Sequence, residues 1–191
     1  MAGRELDVLV ICGSLRKGSY NAALARMLPA LAPAGLALRS APSFADFPIY
    51  NADIQTTSGF PPKVNAWADA IRSADALIIV SPEYNWSIPG GLKNAIDWVS
   101  RMKEQPFKDK PVAFQSAAGG ILGGSRAQYH LRQSLTSVDV ILFGRPEVIV
   151  TFAAQKFDDK TLELKDATAI DLIKQQLAAF ENFVRRLALK D

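Results

Sequence analysis

Ala76-Leu77-Ile78-Ile79-Val80 is an unbroken apolar run inside the segment 75–81. A strand wetted on one face alternates apolar and polar side chains, so a run without alternation describes a strand buried on both faces. Burial on both faces is the condition of a parallel sheet covered by helices, and the rest of the chain keeps to that plan. Residues 6–12 form a second apolar run, followed over 19–32 by Leu24, Leu28 and Leu31 at helical spacing. Residues 36–40 read as a short strand. Pro62 suits the first turn of a helix whose apolar face carries Val64, Trp67, Ala68 and Ile71. After the central run, 89–102 reads as a helix with Leu92, Ala95, Ile96 and Val99 on one side. The segment 111–116 reads as a strand and 125–138 as a helix. Apolar residues over 140–143 and 148–152 read as a fifth strand interrupted near Gly144-Arg145-Pro146. Ile170, Ile173, Leu177, Phe180, Val184 and Leu187 mark the last helix.

Alternating strands and helices predict an α/β, doubly wound parallel sheet. Five strands in 191 residues fit the flavodoxin-like order 2-1-3-4-5, a three-layer sandwich, as a single domain over 1–191. In such a sheet ligands bind beyond the carboxyl ends of the strands, where the order reverses between strands 1 and 3. The loops after strands 1, 3 and 4 are therefore expected to share one site. The long connection 41–61, with Phe47, Ile49 and Tyr50 inside it, is expected to pack down in part and to carry function.

Composition removes several classes. A net charge of +3 with no basic block is not that of a nucleic-acid binder. No apolar run reaches the length of a membrane span, and Met1-Ala2-Gly3-Arg4-Glu5 leads into the first strand without the apolar stretch of a signal peptide. One cysteine, Cys12, permits no internal disulfide and reads as a core residue of a cytoplasmic protein. A lone histidine, His130, cannot build a multi-histidine metal site and reads as structural, so no metal is expected.

The three loops are unlike ordinary connections. Gly13-Ser14-Leu15-Arg16-Lys17-Gly18-Ser19-Tyr20-Asn21 joins a strand to a helix start and carries hydroxyls, two cations and two glycines. That is the chemistry of a phosphate cradle, although Gly and Ser are also common in plain strand-to-helix turns. It is neither a Walker loop nor a Gly-x-Gly-x-x-Gly fingerprint. Residues 81–91 hold two aromatics, two prolines and two glycines, either flat surfaces for a ring system or a hairpin-like loop with its aromatics folded back on the core. Residues 116–125 hold four glycines, which allow close approach of a ligand or make a flexible linker.

The first loop, with Pro82-Glu83-Tyr84-Asn85 and Pro89-Gly90-Gly91-Leu92-Lys93-Asn94-Ala95-Ile96-Asp97-Trp98, resembles the NAD(P)H-dependent FMN reductase family, in particular its bacterial quinone and chromate reductase branch. Ile49-Tyr50-Asn51-Ala52-Asp53 and Tyr129-His130-Leu131-Arg132-Gln133 extend the similarity over nearly the whole chain. The resemblance implies FMN as cofactor, its phosphate on Gly13, Ser14, Arg16, Ser19, Tyr20 and Asn21 with Leu15 and Lys17 supplying backbone or charge. Pro82, Glu83, Tyr84 and Asn85 would meet the ring, largely through backbone groups, and Ser116 and Gly119 would close the other side. It further implies NADH or NADPH as donor, ping-pong electron transfer to quinones, and chromate as a further acceptor. Chromate would need positive charge near the flavin, for which Arg101 and Arg126 are the candidates, although a solvated helix end is the commoner role of such arginines. No protein side chain is expected to act as acid or base, because the flavin carries the chemistry. The family also forms homodimers or dimers of dimers (homotetramers) through the helices at 89–102 and 125–138. Trp86 departs from the smaller or different aromatic usual there. Two other classes compete: a flavodoxin-type electron carrier, usually acidic where this chain has a pI near 9.0, and a flavin-dependent interaction or sensor protein.

Overall fold

The structure, a computed structural model, describes residues 4–188. Residues 1–3, the start of the expected leaderless N-terminus, lie outside them. Six strands make one parallel sheet: β1 (Leu6–Cys12), β2 (Leu36–Ser40), β3 (Ala76–Val80), β4 (Pro111–Ala117), β5 (Ile141–Leu142) and β6 (Val148–Val150). Their order is β2-β1-β3-β4-β5, with β6 also pairing with β4. The expected fifth strand is thus two short pieces on one neighbour, Pro111–Val112 beside β5 and Gln115–Ala117 beside β6. This is the flavodoxin-like α/β fold, reversing between β1 and β3.

Side-chain alternation along each strand feeds two cores. Val8, Val10, Ile78 and Val80 face α1 (Tyr20–Leu31) and the long C-terminal helix 167–188 through Leu24, Leu28, Ile173, Leu177 and Phe180. Leu9, Ile11, Leu77, Ile79 and Phe114 face the other layer through Trp67, Leu92, Trp98 and Leu131. Every residue of β3 is buried, as its unbroken apolar run requires.

The connection 41–61 differs from expectation in containing a helix, α2 (Ala52–Ser58), capped by Asn51 Oδ1 on the Asp53 N–H at 2.8 Å. No residue of α2 is buried, so it leaves no apolar period in the sequence. The segment before it is pinned to the helix that follows β3. Asn94 accepts from Tyr50 N–H and donates to Pro48 O, and Trp98 Nε1 donates to the same carbonyl at 2.7 Å. The remaining helices are α3 (Pro62–Ser73), α4 (Gly90–Val99), α5 (Ser125–Thr136), a single turn α6 (Ala153–Lys156) and α7 (Ala167–Ala188). The helix predicted over 89–102 therefore stops at Val99, three residues early.

Candidate functional site

In a parallel sheet each helix that follows a strand starts at the carboxyl edge, so α1, α4 and α5 begin beside one another. None has an acidic residue in its first turn. The N-termini of three helices thus gather there, with the Ala22 N–H of α1 taken up by Ser19 and the Ala127 N–H of α5 by the Glu83 carboxylate. The loops interlock. A Cβ on Gly13 would come within 2.7 Å of Ser81 Oγ and 3.0 Å of Leu92, and one on Gly124 within 2.7 Å of Ser116 Cβ. Only glycine permits these approaches.

The first loop divides into anchors and free groups. Gly13 N–H is spent on Val80 O at 2.8 Å. Ser19 is the N-cap of α1, buried, its oxygen accepting from Ala22 N–H at 3.3 Å. Asn21, also buried, uses its whole amide on β4, accepting from Ala117 N–H at 2.9 Å and donating to Ala117 O at 2.8 Å. The last β3–β4 partners are Val80 and Gln115, so Asn21 stands in for the strand that has left. Tyr20 packs its ring on Phe157 at 5.0 Å. Leu15, Arg16 and Lys17 are exposed, and Ser14 sits at the margin of burial. An anion placed here would find Ser14, Arg16, Lys17 and the opening N–H groups of α1, while Ser19 and Asn21 hold the loop's shape.

The second loop is a hairpin. Tyr84 and Ser87 exchange backbone hydrogen bonds of 3.1 and 3.0 Å around Asn85 and Trp86, both in the left-handed region with φ of 49° and 65°. A two-residue turn of this kind favours Asn-Gly; tryptophan at the second place is strained. Pro82 is buried, whereas Tyr84 and Asn85 are exposed and Trp86 is 67% exposed. The aromatics therefore stand out at the rim, not back in the core. Arg126 lies over the Trp86 ring at 4.1 Å and 3.9 Å from Glu83 Oε1. Glu83 Oε2 accepts from Ala127 N–H at 3.2 Å, and Ser87 Oγ lies 2.9 Å from His130 Nδ1.

In the third loop Gly123 and Gly124 have φ of 56° and 94°, and Gly124 is the N-cap of α5. The backbone's demand for glycine falls there, since a Cβ on Gly119 or Gly120 would meet nothing within 4 Å. Ser116 is fully buried, accepting from Gln128 Nε2 at 2.8 Å. Its side chain lies beneath Gly124, so the surface above is backbone. Gln128 also donates to Val148 O at 2.9 Å, joining β4, β6 and α5. Nothing in the sequence marks it, because a buried polar contact leaves no local pattern.

Arg126 lies between the second and third loops; Arg101 stands away from them within one chain. Arg101 follows the far end of α4, about 15 Å of helix from its start, and lies 5.6 Å from the Tyr50 ring. Cys12 is half-buried rather than a full core residue, and burial pushes its thiol up from the ordinary range. His130 is exposed and holds the hairpin through Ser87. Lys93 is paired with Asp97 at 2.6 Å on α4. Among the described residues no cluster of His, Cys, Asp or Glu could hold a metal, and no helix is long and apolar enough to cross a membrane.

The family model described as NADPH-dependent FMN reductase matches residues 6–155. The quinone reductase of Escherichia coli (strain K12) is 47% identical over 185 residues, covering 97% of this chain and 98% of that protein. The NAD(P)H-dependent FMN reductase of Pseudomonas aeruginosa is 47% identical over 183 residues, covering 96% and 97%. Among solved structures, the flavoenzyme NAD(P)H:(acceptor) oxidoreductase FerB from Paracoccus denitrificans superposes with a TM-score of 0.83 at 31% identity, covering 95% of this chain and 98% of FerB.

Proposed function

Because the chain belongs to the NADPH-dependent FMN reductase family, we propose that it is an FMN-dependent NAD(P)H oxidoreductase that delivers electrons to quinones, its 1–191 span acting as one FMN-binding domain. The observation that carries this reading is the meeting of the α1 N-terminus, Ser14, Arg16 and Lys17 with the aromatic hairpin and the glycine loop at one sheet edge. The donor set fits a phosphate. It combines two cations, a free hydroxyl and opening N–H groups, with no carboxylate in the first turn to repel an anion.

When bound, FMN supplies hydride acceptance and electron delivery; the chain binds, orients and excludes. Ser14, Arg16 and Lys17 would hold the phosphate, with Leu15 and Gly13 shaping the approach. Ser19 and Asn21 keep the cradle rigid from beneath. Backbone groups of Pro82, Glu83, Tyr84 and Asn85 would hold the ring, together with the backbone over Ser116 and Gly119. Tyr84 and Trp86, both exposed, would offer flat surfaces to nicotinamide and to a planar acceptor. A single acceptor face used in turn by donor and quinone would give ping-pong kinetics without any side-chain acid or base.

Chromate is a second acceptor in this proposal, drawn by Arg126 at the rim. The working form is a homodimer or dimer of dimers joined through α4 and α5. Ile49 beside α4 and Tyr129 on α5, 79% and 56% exposed, support that interface, and Arg101 would reach a site only across it. Steady-state oxidation of NADH and NADPH with a quinone by the FMN-loaded protein tests the reading. Turnover with linear ping-pong plots supports it, and absence of turnover with either donor sinks it. A flavodoxin-type carrier would instead pass electrons only to a protein partner.

A further inference from the structure

The geometry points to Glu83 as a positioning residue that locks the aromatic hairpin to the first turn of α5, so that the second and third loops behave as one body. α5 opens on Gly124, which has no side chain to cap the helix. Its early N–H groups need an acceptor, and its positive dipole end favours an anion. Glu83 supplies both across 44 residues of sequence, with Oε2 accepting from Ala127 N–H at 3.2 Å. Its side chain is only 12% exposed, so the carboxylate faces the helix and not the open site.

Two further contacts complete the lock. Arg126, 3.9 Å from Glu83 Oε1, lays its guanidinium 4.1 Å over the Trp86 ring. Ser87 Oγ meets His130 Nδ1 at 2.9 Å. On α5 the attachment points 126, 127 and 130 fall within about one turn; on the hairpin they are 83, 86 and 87. This grip also accounts for Trp86 at φ 65°, because a strained non-glycine turn persists only where its surroundings over-determine it. The consequence for the reaction rests on the reading that these loops seat the flavin ring. With the hairpin fixed to α5, the ring edge and the acceptor surface keep a constant separation. Released, the aromatic rim moves independently of the glycine loop.

Amide hydrogen exchange on the full chain, with and without FMN, tests the lock with Glu83→Ala and Glu83→Gln. Removing the carboxylate is expected to speed exchange at Ala127, and also at Tyr84 and Ser87, by roughly tenfold, with β3 amides unchanged. Glu83→Gln keeps a carbonyl acceptor and is expected to restore protection to within about threefold of wild type. In the FMN-loaded protein Glu83→Ala should shift the visible flavin bands and raise the quinone KM by about tenfold, and Glu83→Gln should reverse most of both. Unchanged exchange at Tyr84 and Ser87 in Glu83→Ala overturns the lock. Faster exchange with unmoved flavin bands and quinone KM leaves the lock standing and overturns the seating of the ring between these loops.

Discussion

Asn21→Ala should unfold the chain more readily than any other change in the first loop. The amide of Asn21 is 3% exposed and satisfies both backbone groups of Ala117, at 2.9 and 2.8 Å. Those groups face the side of β4 from which β3 has already turned away, so no strand can replace the amide. Truncation removes two hydrogen bonds, each worth about 0.5–1.5 kcal/mol net, and strands an N–H and a C=O, which costs about 1–3 kcal/mol for each group left dry. Partial access of water through the space opened by the side chain offsets part of that second cost. The net loss comes to roughly 2–4 kcal/mol. With a urea slope of about 2 kcal/mol/M, the unfolding midpoint should fall by about 1–2 M at unchanged slope. The FMN-free chain is the one to measure, since bound ligand would add its own linkage. Asn21→Asp keeps the acceptor for Ala117 N–H but sets a carboxylate against Ala117 O, so it should recover little. A midpoint within about 0.3 M of wild type would refute the reasoning.

Three other outcomes follow from the same geometry. Gly13→Ala forces a Cβ to within 2.7 Å of Ser81 Oγ and should cost about 1–3 kcal/mol by denaturant unfolding; adding Ser81→Ala should recover part of that loss, and strict additivity would contradict the clash. The Asp75 carboxyl is held below the ordinary range chiefly by the Arg4 guanidinium, through paired contacts of 2.6 Å, and Asp7 N–H also donates to it. Its contribution is complete above the unfolded value of about 3.9 and is lost as pH falls through the lower folded value, so Asp75→Asn should flatten the acid limb of a stability-versus-pH curve, and an unaltered limb would contradict this. Trp67 and Trp98 are fully buried, so acrylamide quenching of the native FMN-free protein should report Trp86 and all but vanish in Trp86→Phe; persistent quenching in that variant would contradict the exposed hairpin.

Apolar burial writes a period into the sequence, and elements that bury apolar surface were legible for that reason. The run 76–80 announced β3, and the three-and-four spacing from Ile170 to Leu187 announced α7. The interruption at Gly144-Arg145-Pro146 was legible too, and it separates β5 from β6. The meeting of three loops at one edge followed from the strand order. Elements too short or too exposed to write a period were silent: α2 has no buried residue, and α6 is a single turn that buries only Ala153. A hairpin was one reading of 81–91, but neither its turn at Asn85-Trp86, which lacks the usual glycine, nor its outward-facing aromatics could be read there. Long-range polar contacts were hidden as well. Neither the capping of α5 by Glu83 nor the grip of Gln128 on Ser116 leaves any trace in local composition. Glycine number in the third loop was visible, but not which glycines the backbone needs. The positive φ angles assign that need to Gly123 and Gly124.

FMN titration of the wild-type chain against Ser14→Ala/Arg16→Ala bears most directly on the central claim that the turn after β1 anchors the cofactor. Arg16 is exposed and Ser14 holds no structural side-chain bond among those described, so the unfolding midpoint without FMN should stay near that of wild type. Losing a charged fork and a hydroxyl from the phosphate should weaken FMN binding by roughly 100-fold. Equal FMN affinity in the two proteins would mean that the phosphate is held elsewhere and would contradict the account.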